Sequence, residues 1–149
     1  MRTVRVAQTF EASVPEAERR WYDTSHWADW VDGLDRVLEV DGDWPNVGAS
    51  VTWESGPAGR GQVTERVVDR HPLTGQTLEV QDDSIRGRQS VTFTAAAPGV
   101  EIALSLEYEL KRRSIITPIV DALFIKRAMA VSMGLTVSRF GAGLHARHR

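Results

Sequence analysis

The sequence predicts an α+β fold: a mostly antiparallel sheet whose apolar face is covered by one long C-terminal helix. Three observations carry that reading. Between Asp35 and Arg113 apolar residues recur at period two in six short runs, separated by turn clusters rich in Gly, Pro, Asp and Asn. The connections between these runs are too short for the crossovers that parallel neighbours require. After Thr117-Pro118 no further proline occurs, and apolar residues recur densely to the C-terminal end.

Each element can be justified in order. Thr3–Phe10 is short and rich in β-branched residues, which suits a strand. Ser13-Val14-Pro15-Glu16 has the spacing of a capping box, with proline in the first turn where no intrahelical bond is lost. A helix is expected from Val14 to Tyr22. Thr24 or Ser25 is the expected cap of a second short helix, which Gly33 ends. The six alternating runs are Arg36–Val40, Ser50–Glu54, Gly61–His71, Gln76–Gln81, Ile85–Ala95 and Val100–Lys111. The last alternates most cleanly, with Leu104, Leu106, Tyr108 and Leu110 on one face and Ser105, Glu107 and Glu109 on the other.

Thr117 as N-cap and Pro118 at the first helical position open the long helix. Its apolar positions, among them Leu123, Phe124, Met129, Val131, Met133, Leu135, Val137 and Phe140, are wider than one stripe. The helix is therefore expected to be embraced by the sheet. Gly134, Gly141 and Gly143 would each cost about 1 kcal/mol in a helix interior.

Composition narrows the function. The chain has 149 residues, 42% hydrophobic and 26% charged, with formal net charge −2. That size suits one domain, 1–149, and that charge gives no footprint for nucleic acid. With no cysteine, thiol catalysis, disulfides and thiolate-held metals are excluded. Neither a signal-peptide core nor a membrane-spanning apolar run is present, so a cytoplasmic protein without stable membrane insertion is expected. No nucleophile elbow, phosphate loop or dinucleotide fingerprint occurs, and the four histidines lack metal-ligand spacing. His145 and His148 read as a solvated tail. No metal and no cofactor are expected.

The order strand, two short helices, six antiparallel strands, one long helix resembles the helix-grip fold. The chain is similar to the START-like (SRPBCC) superfamily, on its bacterial polyketide cyclase/dehydrase and lipid-transport branch. Ser13-Val14-Pro15-Glu16 leading into Trp21, the run His26-Trp27-Ala28-Asp29-Trp30 and Asn46-Val47-Gly48-Ala49 carry the likeness locally. It implies a seven-stranded curved sheet around the C-terminal helix, two short helices after the first strand, and an apolar cavity between sheet and helix. It also implies a hydrophobic small molecule, lipid or polyketide-like, as ligand.

Alternation aims Val51 and Trp53, Val63 and Glu65, Gln89, Val91 and Phe93, and Leu104, Leu106 and Tyr108 into such a cavity. Leu123, Phe124 and Val131 of the long helix would face them, and Trp27 would rim the mouth, with Trp44 as its alternative. Glu65 and Tyr108 are the candidate acid/base groups, since a carboxyl group in an apolar cavity can exchange protons near neutral pH. A bulge near Gly59 and Gly61 would shift the phase and leave Glu65 in solvent. Three readings follow: a binder or transporter of a hydrophobic molecule, a polyketide aromatase/cyclase or dehydratase, and a protein-partner module with a vestigial cavity.

Overall fold

The computed structural model describes residues 2–56, 61–111 and 118–147, with the side chains of the last helix described from Phe124 to Leu144. The elements are β1 (Arg2–Phe10), α1 (Val14–Tyr22), a 3₁₀ turn (Thr24–His26), α2 (Trp27–Trp30), β2 (Leu34–Asp41), β3 (Ser50–Ser55), β4 (Gln62–His71), β5 (Gly75–Gln81), β6 (Ile85–Ala96), β7 (Gly99–Leu110) and α3 (Pro118–Arg147). The seven strands form one curved antiparallel sheet in the order β1-β7-β6-β5-β4-β3-β2. β1 and β2 are consecutive strands yet occupy opposite edges, so α1 and α2 must carry the chain across the sheet's inner face. This is the expected helix-grip architecture.

Ser13 caps α1 as its spacing predicts: Glu16 N–H donates to Ser13 Oγ at 3.2 Å, and the serine hydroxyl lies 3.0 Å from Glu16 Oε1. The second helical segment is capped differently from expectation. Asp23, not Thr24 or Ser25, accepts from Ser25 N–H, because its carboxylate reaches the turn's second amide from the preceding position. Gly33 ends the segment at φ +81°, where a side chain would be strained.

β4 does carry a bulge, but between Val67 and Asp69 rather than at the strand's start. The phase of Val63, Glu65 and Val67 is therefore undisturbed, and all three point inward. On the outer face the register aligns Arg66, Glu79, Arg88 and Glu107 across four strands. Arg86–Glu109 at 2.6 Å and Arg88–Glu79 at 3.7 Å line the same exposed hollow of about 400 Å³. Such exposed pairs contribute little each, and alternating charge keeps this face in water.

α3 runs mainly along β1 and packs against α2, with smaller contacts to β7 and α1. Two of its three glycines are explained by close approach. A Cβ on Gly141 would enter the Phe10 ring, and one on Gly143 would meet the Arg20 guanidinium. Arg20 is itself buried, with its cation 5.4 Å from the Phe140 ring. The expectation of an embraced helix is corrected, however. Met129, Met133, Val137, Phe140 and Leu144 are buried, whereas Phe124 (73%), Val131 (58%) and Leu135 (40%) are exposed. The sheet covers one side of α3 only. The expected cap at Thr117, Pro57 and Gly59 of the β3–β4 loop, His148, and the side chains of Leu123 and His145 lie outside the described residues.

Candidate functional site

A cavity of about 50 Å³ lies between the sheet and the helices. α1, α2 and the turn after them supply Trp21, Trp27, Trp30, Val31 and Asp32; α3 supplies Ser132, Met133 and Thr136. The sheet supplies Trp53, Glu65, Gln76, Leu78, Gln89 and Leu104. The lining is thus four indoles, four aliphatic or thioether side chains and six polar ones.

The indoles are held as a cluster. Trp21 packs on Trp30 with ring centroids 4.7 Å apart, and each lies 5.0 Å from Phe140. Trp27 meets Trp30 at 6.2 Å and Trp44 at 5.6 Å. Backbone carbonyls fix two of these rings: Trp27 Nε1 donates to Trp21 O and Trp44 Nε1 to Tyr22 O, both at 2.8 Å. Trp30 Nε1 and Gln76 Oε1 are buried without a partner among the described residues. Both side chains belong to the cavity wall, and a shift of that wall that let in water or a ligand's polar group would satisfy them. The other end of the Gln76 amide donates to Pro45 O at 3.0 Å, which ties this wall to the β2–β3 loop.

Glu65 is 7% exposed and sits on this wall. Of the remaining sheet candidates, Trp53, Gln89 and Leu104 line the same cavity, and so does Trp27. Val51, Val63, Val91, Phe93 and Leu106 are buried and point inward, but they pack the core around the cavity instead of bounding it. Phe93 spends its faces on Trp21 and Tyr22, at 6.3 and 6.1 Å. Tyr108 is fully buried and opposite Gly87, away from the cavity lining. Phe124 and Val131, expected to face the sheet, point outward, because the helix is covered from one side only.

Gln76 was legible: it starts the alternation that Leu78 and Val80 continue inward. Asp32, Ser132 and Thr136 were not, since their roles depend on how α2 and α3 meet. There the closure is polar. Thr136 Oγ1 accepts from Asp32 N–H at 2.9 Å, and Arg139 Nη1 meets Asp32 Oδ1 at 3.0 Å.

A second polar group lies beside Trp44. Arg70 stacks over the Tyr22 ring at 5.1 Å, donates to Asn46 Oδ1 at 2.7 Å and faces Glu18 at 3.8 Å. Burial pushes the Tyr22 phenol up from 10.0 to about 12, and the Arg70 cation offsets only part of that. Burial raises Tyr108 as well. A folded tyrosine that keeps its proton longer than the unfolded chain stabilises fully below pH 10 and loses that contribution as pH rises through about 12. Two pH units correspond to about 3 kcal/mol. Denaturant midpoints are expected to fall across this window, and Tyr22→Phe should remove the Tyr22 part of the slope and leave that of Tyr108. An unchanged slope in that variant would place the titration elsewhere.

Among the described residues no three His, Cys, Asp or Glu side chains come together to hold a metal ion. No described helix is long and apolar enough to cross a membrane.

Solved structures share this architecture. The di-domain aromatase/cyclase StfQ of the steffimycin biosynthetic pathway superposes with TM-score 0.81 at 13% identity, over 98% of this chain and 51% of that one. Norcoclaurine synthase from Thalictrum, a point mutant in complex with a transition-state analogue, gives 0.72 at 14%, over 99% and 96%. A conserved protein from Geobacillus kaustophilus gives 0.76 at 11%, over 97% and 96%. At these identities the likeness is one of fold. No curated protein matches the sequence. The family model for polyketide cyclase/dehydrase and lipid transport proteins matches residues 1–142, and with that match the chain belongs to this family.

Proposed function

We propose that the chain binds a hydrophobic small molecule, lipid or polyketide-like, in the cavity between sheet and α3. The observation that supports this most is the lining itself: four indoles together with Glu65, Gln76 and Gln89, with a Trp30 N–H and a Gln76 carbonyl that have no partner among the described residues. Apolar walls with a few convergent polar groups are what small-molecule sites present. The cavity, at about 50 Å³, suits a few waters, whereas ligand sites run to ~300–1,000 Å³. Entry therefore requires widening, and the polar clip of Asp32 to Thr136 and Arg139 is where the wall divides between α2 and α3.

Native mass spectrometry of the freshly purified chain, with extraction of any retained molecule, tests this reading. Titration with apolar probes should quench tryptophan fluorescence, since four of the five tryptophans line the site. No retained molecule and no quenching by any probe would sink it.

A second reading, cyclase or dehydratase chemistry, is favoured by one observation, the placement of Glu65 on the cavity wall. A carboxyl group there would move the proton during aldol closure or water loss, while the walls orient the chain. Tyr108 is outside the cavity and drops out as its partner. Under this reading Glu65→Gln keeps ligand affinity and lowers turnover of a poly-β-ketone by about 10²–10⁴. Equal turnover in the variant would leave binding alone.

A further inference from the structure

α3 carries a second apolar surface that neither the sheet nor the cavity uses. Phe124, Ala128, Val131, Leu135, Ser138 and Ala142 are all exposed. Their spacing is 4-3-4-3-4, that of the seam of a helix that pairs with another helix, and no charge lies on it. A long apolar stripe on a helix is ordinarily covered. Among the described residues, β1, β7, α1 and α2 cover one side of α3 and leave this face exposed.

We propose that this face pairs two copies of the chain as an antiparallel, two-fold symmetric dimer. The self-complementarity of the seam argues for a second copy. When a copy is placed antiparallel about an axis level with Met133, Phe124 falls opposite Ala142, Ala128 opposite Ser138, and Val131 opposite Leu135. Large meets small at the ends, small meets small between, and two branched residues meet at the centre. A two-fold interface has this property by construction: residue i meets j and j meets i.

The flanks are compatible. Arg127 and Arg139 lie on opposite sides of the seam. In an antiparallel pair like sides face one another, so neither arginine is brought against its counterpart from the other copy. Arg139 is already neutralised by Asp32 of its own chain. That pairing, with a net charge of −2, makes an anionic lipid surface the poorer fit. The seam is a strip of about 28 by 10 Å on each copy. Over two copies that is about 560 Å², below the ~1,000 Å² at which stable specific interfaces begin, so a weak dimer that dissociates on dilution is the expected state.

Sedimentation equilibrium on the full chain across the micromolar range tests this. Wild type should pass from monomer to dimer. Val131→Glu and Leu135→Lys, both at exposed positions, should keep the wild-type circular dichroism and each weaken self-association by roughly tenfold or more. Mixing the two variants should restore a dimer, because the antiparallel register sets the introduced glutamate against the introduced lysine. A wild-type chain that stays monomeric throughout the range overturns the proposal. So do variants that dimerise as well as wild type, a mixture that does not recover, or a monomeric wild type that floats with phosphatidylserine vesicles. None of these outcomes depends on whether the cavity holds a ligand.

Discussion

Phe140→Ala is expected to be the most destabilising single truncation in the helical layer. The ring is fully buried, lies 5.0 Å from both Trp21 and Trp30, and carries the Arg20 cation at 5.4 Å. Removing it opens a void where α1, α2 and α3 meet, and the neighbouring indoles are too rigid to close it. Loss of a buried phenylalanine costs about 3–5 kcal/mol. For a chain of this size that lowers the melting temperature by roughly 10–15 °C. Thermal unfolding followed by circular dichroism checks it. A fall of only a degree or two would mean that the three helices do not share one packed layer.

Gly87→Val has a comparable expected cost from the opposite cause, overpacking. A Cβ at Gly87 would enter the Glu107 carbonyl oxygen and approach Tyr108 Cα to 2.8 Å. Those are backbone atoms of the paired strand, with Gly87 directly opposite Tyr108, so no rotamer change relieves the clash. β6 and β7 would have to part where Gly87 pairs with Tyr108. Overpacking usually costs about 1–3 kcal/mol, and contact with backbone puts this case at the upper end or above. Gly87→Ala should show most of the effect. If urea unfolding shows either variant as stable as wild type, the close approach of the two strands is not needed by the fold.

The sheet was readable strand by strand because each inner face is a period-two pattern, and the pattern is local. Leu104, Leu106 and Tyr108 sit inward as their alternation requires, and each strand begins and ends within two residues of its alternating run. Glu65 posed a sharper question, since one extra residue in β4 would have turned it to solvent. The bulge exists, but after Val67, and only the pairing of β4 with β5 located it. Gly141 and Gly143 look like defects in a helix when read alone; they are where Phe10 and Arg20 come closest to it.

The sequence by itself determined the order of elements, the packing of one sheet face against a terminal helix, and the inward placement of Trp53, Glu65 and Leu104 on their strands. Periodicity, caps and turns act between residues close in the chain, and so they are written in it. Only the tertiary structure decided which inward residues bound a cavity and which are spent on packing, because that depends on the rotation of α3 against a sheet that covers one side of it. The same rotation sends Phe124 and Val131 outward, brings Asp32 to Thr136 and Arg139, and leaves Tyr108 outside the cavity. These contacts join residues about a hundred positions apart, where no local pattern reaches.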